Sequence, residues 1–390
     1  MTTSTALPLH IQRMLLRPTW VEVDLDAIRH NVSLLKSRLP RHAALCAVVK
    51  ANGYGHGAVP VARAALQAGA SRLGVATVTE AEELRGAGLT APLMVFGAMT
   101  GDELARAVAI GAEVVAWSRP FARAARDAGA TTHVKLNTGM NRLGVDEQTT
   151  LDLAATIATG RGRVAGLMSH FATADEDDPT FFHEQLERFL EFEPVFKQRY
   201  PGSISHTANS AAILREPRAH RDMARAGIAI YGLDPANRTP DTFGLRPAMR
   251  WISYLAGERS VEPGESVGYG RRFIAAERTR IGIVPIGYAD GVRRALGEGG
   301  EVLIAGRRCA ITGTISMDQL TVTLPRDACA VGDEVVLVGE SRDERILCED
   351  MARALGTINY EIVCGVSSRT VRHYIGDSPS RESRSHGRPD

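Results

Sequence analysis

Eight short apolar runs, each followed by a polar or helical stretch, constrain this 390-residue chain more than any other feature. They lie at 45–50, 72–77, 93–97, 114–117, 133–137, 164–170, 203–206 and 224–231. Between them apolar residues recur at helical spacing, as at 59–69 and 80–88, and a further helix at 26–39 precedes the first run. Several of these helices end in Ala-Gly (Ala68-Gly69, Ala87-Gly88, Ala128-Gly129), with glycine just past the last turn, where the left-handed conformation is needed. Strands that alternate with helices pair in parallel through right-handed crossovers. Eight such units in about 200 residues fit a (β/α)8 TIM barrel. The alternation alone also fits a doubly wound open sheet.

After Asp234 the texture changes. Residues 235–247 carry several prolines and read as a linker. Beyond them come apolar runs bounded by Gly and Pro at 249–256, 281–285, 302–304, 319–324, 334–338 and 370–375, with one short helix at 348–355. This pattern predicts a mostly antiparallel β domain. The expected division is a barrel over 15–245, a β domain over 246–375 that residues 1–14 join, and a disordered Ser/Arg/Pro-rich tail over 376–390.

A net charge of +1 advertises no basic face for nucleic acid. The first twenty residues have no signal-like apolar run, and no segment has the length of a membrane helix. The five cysteines (Cys46, Cys309, Cys329, Cys348, Cys364) form no Cys-x-x-Cys pair, which suits free thiols in a cytoplasmic protein.

Only four of the 46 basic residues are lysine. Lysine can lose its proton and act as an amine nucleophile, which arginine does not. Lys36 and Lys197 lie in polar helical stretches and read as surface charges. Lys50 and Lys135 instead close apolar runs and open glycine-bearing loops. In a barrel the C-terminal ends of strands carry catalytic groups. A lysine in a crowded, partly apolar site has a lowered pKa and forms imines, with a carbonyl substrate or with pyridoxal phosphate. A phosphate cradle is then expected after strands seven and eight, where Ser210 and the Gly227 and Ile228 amides stand.

Taken together, the motifs are specific. Lys50-Ala51-Asn52-Gly53-Tyr54-Gly55-His56-Gly57 resembles the cofactor-lysine signature of bacterial alanine racemases. The resemblance continues through Asn137-Thr138-Gly139-Met140-Asn141-Arg142-Leu143-Gly144, Ser169-His170-Phe171-Ala172-Thr173-Ala174-Asp175 and Ala208-Asn209-Ser210-Ala211. It extends over Arg225-Ala226-Gly227-Ile228-Ala229-Ile230-Tyr231-Gly232, Val267-Gly268-Tyr269-Gly270 and Gly287-Tyr288-Ala289-Asp290-Gly291. It closes with Ile315-Ser316-Met317-Asp318-Gln319 and Ile358-Asn359-Tyr360-Glu361, so that it spans residues 18 to 375 in one order.

What the resemblance implies is a cytoplasmic homodimer that interconverts L- and D-alanine and supplies D-alanine for peptidoglycan. Lys50 would hold pyridoxal 5′-phosphate as an internal aldimine and move protons on the D face. Tyr269 of the other subunit would act on the L face; a phenol with a pKa of about 10 needs a cationic or imidazole neighbour for that. Arg225 would face the pyridine nitrogen, with His206 against it and His170 near the ring. Tyr54, Ser210, Gly227, Ile228 and Tyr360 would bind the phosphate. Arg142 would contact the cofactor and the substrate carboxylate, and the Met317 amide would hold that carboxylate. Tyr288 and Asp318 would line the entrance. Lys135 aligns with a lysine that is carbamylated in many members; no metal is implied.

Three departures bear on this. Gly53 stands where alanine is usual, Asn137 where aspartate is common, and Ser316 where cysteine is frequent. They leave open a racemase of the same fold for serine or a broader range of amino acids. A non-catalytic pyridoxal-phosphate carrier resembles the barrel alone and would have no use for Tyr269. A barrel decarboxylase of D-configured diamino acids would be expected to carry a cysteine where Ser316-Met317-Asp318 stands.

Overall fold

A computed structural model describes residues 17–326 and 328–376. The expectations for residues 1–14 and for a tail beyond 376 lie outside the described residues.

The first strand, β1 (Trp20–Asp24), does not enter the barrel. The barrel strands are β2 (Ala44–Val48), β3 (Arg72–Val75), β4 (Leu93–Val95), β5 (Glu113–Ala116), β6 (Thr131–Lys135), β7 (Arg163–Met168), β8 (Ile204–His206) and β9 (Met223–Ala226). They pair in parallel in the order β8-β7-β6-β5-β4-β3-β2-β9. Asp222 N to Ser205 O and Arg225 N to Ala208 O, both 3.0 Å, tie β9 to β8 and close the ring, so the barrel holds and the open sheet does not. The strands read as nearly unbroken apolar runs because helices cover their outer face and side chains fill the inside. Helix starts follow their caps: Thr77 and Thr100 form capping boxes with Glu80 and Glu103, and Asp24 accepts from the amides of Asp26 and Ala27 to open Leu25–Arg38.

The β domain holds β10 (Met249–Tyr254), β11 (Gly257–Val261), β12 (Ser266–Val267), β13 (Phe273–Ile274), β14 (Thr279–Val284), β15 (Glu301–Ile304), β16 (Arg307–Ala310), β17 (Leu320–Thr323), β18 (Glu334–Ser341), β19 (Glu344–Ile346) and β20 (Val371–Ile375). Its main sheet runs β16-β15-β18-β10-β1-β20, with β19 on β18; β11-β14-β17 and β12-β13 form smaller sheets. The pairing is antiparallel except between β1 and β20. The placement of β1 departs from the expected 15–245 barrel. The chain starts in the β-domain sheet, leaves to build the barrel, and returns. The period-2 pattern of Trp20–Asp24 makes it a strand, and its pairing with β10 and β20 buries Val21 and Val23.

The β domain also reaches the barrel mouth. Gly55 has φ +79°, and a Cβ there would lie 2.0 Å from the Val363 carbonyl oxygen. Only glycine allows the Lys50 loop to press against the helix Asn359–Cys364 in this way. Arg372 Nε donates to Gly55 O at 3.0 Å from β20.

Candidate active site

A cavity of about 460 Å³ opens at the C-terminal ends of the barrel strands, under the helix Asn359–Cys364. Lys50, Lys135, Arg142, His170, Ser210, Arg225, Gly227, Ile228, Tyr54 and Tyr360 all line it. The barrel fold thus gathers residues that are as much as 310 positions apart in sequence.

Lys50 was expected at the end of a strand. The strand stops at Val48, and Lys50 starts a tight turn instead. Ala51, Asn52 and Gly53 have φ/ψ of 52/50°, 52/50° and 60/46°, and Tyr54 has φ 49°, so four consecutive residues are left-handed. For residues other than glycine this costs roughly 1–2 kcal/mol each. Gly53 N to Val49 O (2.8 Å), Gly55 N to Ala51 O (3.0 Å) and Ala51 N to the Glu80 carboxylate (2.7 Å) hold the turn. Strain kept in this way beside a reactive side chain marks a functional position. Burial, with the nearby Arg142 guanidinium, lowers the Lys50 pKa from the usual lysine range, against the opposite pull of Cys364 and Glu80. The neutral amine is favoured as a result.

One part of the cavity is a set of neutral donors. Ser210 Oγ accepts from Gly227 N at 2.9 Å and Ala229 N at 3.3 Å, which leaves its own proton to donate. Burial holds the Tyr54 and Tyr360 phenols above their ordinary pKa, so both keep their protons. A Cβ on Gly227 would stand 2.6 Å from the Tyr54 hydroxyl, so the phenol can lie against residue 227 only because that residue is glycine. Hydroxyl and amide donors suit a phosphate, and an amine and a guanidinium on the same cavity suit the rest of pyridoxal phosphate. The donor set therefore fits this cofactor.

Arg225 is fully buried and held on every side. Its Nη1 donates to His206 Nδ1 at 2.6 Å, and its Nη2 to Ser169 O (2.8 Å), Thr207 O (3.1 Å) and His170 Nδ1 (3.1 Å). Burial pushes its pKa down to about 10, so it stays charged at neutral pH. Burial and then Arg225 push both His170 and His206 well below the usual histidine value, so both are neutral. His206 touches Arg225 but does not line the cavity.

The arginine loop is organised by Asn137. Its Oδ1 accepts from Gly139 N (3.2 Å) and Asn141 N (3.0 Å), and its Nδ2 donates to Asn141 Oδ1 (2.7 Å). Asparagine thus shapes this loop without adding an anion. Lys135 is buried nearby; burial and then the cations Arg225 and Arg142 push its pKa down to about 8.

Besides His206, four expected residues do not reach the cavity. Tyr269, Met317 and Tyr288 are 72%, 52% and 43% exposed on the β domain. They share one region: Thr314 Oγ1 donates to Tyr269 O (2.8 Å), Tyr288 N to Ser316 O (3.1 Å), and Ala289 N to Met317 O (3.0 Å). Asp318 accepts from Arg369 Nη2 at 2.7 Å. Sequence reasoning also left out Cys364, Phe96 and Met168, which line the cavity. It left out His133 as well, which hydrogen-bonds His206. His133 could have been found from its position two residues before Lys135, on the same face of one strand.

Comparison with known proteins bears on this geometry. Residues 23–235 match the family model described as alanine racemase, N-terminal domain, and residues 248–374 match alanine racemase, C-terminal domain. An alanine racemase of Symbiobacterium thermophilum is 41% identical over 372 residues, covering 93% of this chain and 98% of that protein. Alanine racemase 1 of Bacillus subtilis is 41% identical over 376 residues, covering 94% and 96%. Among solved structures, the alanine racemase from Streptomyces coelicolor superposes with a TM-score of 0.87 at 40% identity, covering 94% of this chain and 100% of that one. The Bacillus anthracis alanine racemase with bound L-Ala-P gives a TM-score of 0.87 at 37% identity, covering 93% and 96%.

Proposed function

The chain belongs to the alanine racemase family, and we propose that it interconverts L- and D-alanine with pyridoxal 5′-phosphate held in the cavity at Lys50. The observation that carries this reading is the convergence of Lys50, Arg225 and the neutral donor set on one cavity. When bound, the cofactor supplies an electron sink that acidifies the α-proton of an amino acid joined to it.

The chain's own residues do the rest. Tyr54, Ser210, Tyr360 and the Ile228 amide would hold the phosphate, and the Gly227 amide, which donates to Ser210 Oγ, would orient that hydroxyl. Lys50 would hold the cofactor covalently, and its Nζ would hold or move a proton on the D face. Arg225, a fixed donor that stays charged, would face the pyridine nitrogen, discourage its protonation and so temper the sink. Arg142 holds the substrate carboxylate. His170 accepts from Arg225 at Nδ1, so its proton sits on Nε2, where it would donate to a phenol oxygen at the L face. That phenol would be Tyr269 of a second copy, since the Tyr269 of the same chain is exposed and outside the cavity. Met317, Tyr288 and Asp318 arrive with it, and the phenols restrict the entrance to short side chains. The site is therefore shared in a homodimer.

None of the helices among the described residues is long and apolar enough to cross a membrane. A cytoplasmic enzyme that supplies D-alanine for peptidoglycan fits this reading. Its test is incubation of the purified protein with cofactor and L-alanine, followed by chiral separation. The expected result is an equal mixture of both enantiomers with no carbon dioxide. Faster racemisation of lysine or arginine, or release of carbon dioxide from a diamino acid, would contradict it.

Lys135 is the residue proposed to be carbamylated. At a pKa of about 8, roughly a tenth of it is neutral at pH 7, and only the neutral amine adds carbon dioxide. The carbamate places an anion between Arg142 and Arg225, where Asn137 supplies none. Protein exchanged into 13C-bicarbonate should show one slowly exchanging carbamate carbonyl signal that is lost in Lys135→Ala. A signal that persists in that variant would assign the modification elsewhere.

A further inference from the structure

A polar chain crosses the barrel interior from the opposite mouth. Arg72 opens β3 and Glu113 opens β5, at the end away from the cavity. Arg72 Nη1 donates to Glu113 Oε2 at 2.6 Å, and His133 Nε2 lies 3.0 Å from the same oxygen. His133 Nδ1 lies 2.9 Å from His206 Nε2, and His206 Nδ1 lies 2.6 Å from Arg225 Nη1. The surrounding interior is apolar: Cys46, Met94, Val115, Met168 and Met223 pack there as one cluster. Space has been left for the chain as well. A Cβ on Gly166 of β7 would lie 2.5 Å from His133 Nδ1.

The two ends fix every proton between them. A guanidinium only donates and an ionised carboxylate only accepts. Arg225 therefore donates to His206 Nδ1, which puts the His206 proton on Nε2. That proton goes to His133 Nδ1, which puts the His133 proton on Nε2, toward Glu113. Burial opposes the charge on Glu113, but the hydrogen bonds from His133 and Arg72, with the Arg72 charge, outweigh it and hold its pKa below the usual carboxylate value. Burial lowers the pKa of both imidazoles, which stay neutral. A cationic His133 would present a proton to His206 and turn the His206 proton against Arg225.

We infer that Glu113 is a positioning residue for Arg225: through His133 and His206 it fixes the tautomers that keep a lone pair aimed at the guanidinium, from the far mouth of the barrel. Without this acceptor the His133 proton is buried with no partner. It moves to Nδ1, His206 must reverse in turn, and a proton then faces a proton at Arg225. The Nη2 contacts to Ser169, Thr207 and His170, which hold the guanidinium at the cavity, loosen as a consequence.

The test uses the full-length enzyme with 15N-labelled histidine, in wild type, Glu113→Leu and Glu113→Gln. Long-range 1H–15N spectra should show wild-type His133 and His206 both protonated on Nε2. In Glu113→Leu, His206 should lose the pure Nε2–H signature. Loss of an orienting partner typically costs about 10- to 100-fold, so kcat for L-alanine should fall by at least about tenfold, with KM moving less than about threefold. Glu113→Gln keeps an oxygen acceptor and should restore both readouts. A wild-type His206 protonated on Nδ1 would overturn the inference whether or not Glu113→Leu folds. So would an unchanged tautomer and kcat in Glu113→Leu, or a Glu113→Gln as impaired as the leucine variant. The kinetic arm rests on the racemase reading, whereas the tautomer arm does not. A wild-type protein that racemises nothing would sink that reading and leave the tautomers to be judged alone.

Discussion

Lys50→Ala is expected to lower alanine racemisation by at least about 10⁴-fold, the upper end for loss of a general acid–base group. Lys50 is asked to do two things, and alanine does neither. In the proposed mechanism its amine would make the covalent bond to the cofactor, and its Nζ would carry a proton on one face of the substrate. Both need an amine that can be neutral, and burial together with Arg142 favours that form. Arginine in its place would be no better, because it keeps its charge. The fold should survive, since backbone bonds and Glu80 hold the left-handed turn, and Ala51 needs no Lys50 side chain. The visible absorption of the covalently bound cofactor should vanish while the melting curve stays cooperative. More than about 1% residual activity would exclude Lys50 from the proton transfer.

Tyr269→Phe is expected to cost about 10²- to 10³-fold while leaving the bound cofactor and its absorption intact. The change removes one hydroxyl from a side chain that is 72% exposed and has no place in its own chain's cavity. For a site made of one chain, such a change should be silent. For a shared site, it removes the proton carrier of one face only. The loss should therefore be lopsided. In deuterated water the variant should still exchange the α-proton of D-alanine, where Lys50 works, and should exchange that of L-alanine far more slowly. Equal loss on both substrates would assign Tyr269 to binding rather than proton transfer.

How much of this could be read in the sequence follows from where burial leaves a local mark. Barrel strands covered on both faces appear as apolar runs, so all eight were legible to within a few residues. The end of the first was not. Val49 and Lys50 continue the apolar run, yet the chain leaves the strand there because the left-handed turn requires it. Polar edge strands were missed. Arg307–Ala310 and Gly257–Val261 are mostly exposed, and charged edges are how sheets avoid further pairing. The membership of Trp20–Asp24 had no local signature, because its partners lie more than 220 residues away. Ten of the residues lining the cavity were legible through motif order around Lys50, whereas Cys364, Phe96 and Met168 were not. Glu113 and Arg72 were not, because each reads as an ordinary strand start. Their link to Arg225 exists only once β3, β5, β6, β8 and β9 face one interior.

Mixing inactive subunits tests the shared site most directly. Lys50→Ala and Tyr269→Phe proteins are each expected to be nearly inactive. After subunit exchange, each mixed dimer has one site with both defects and one site with neither. Random exchange should then restore about one quarter of wild-type activity, from half of the dimers with one intact site each. Activity that stays at the level of the separate variants, in a sample where tagged subunits demonstrably exchange, would contradict a site built from two copies of this chain.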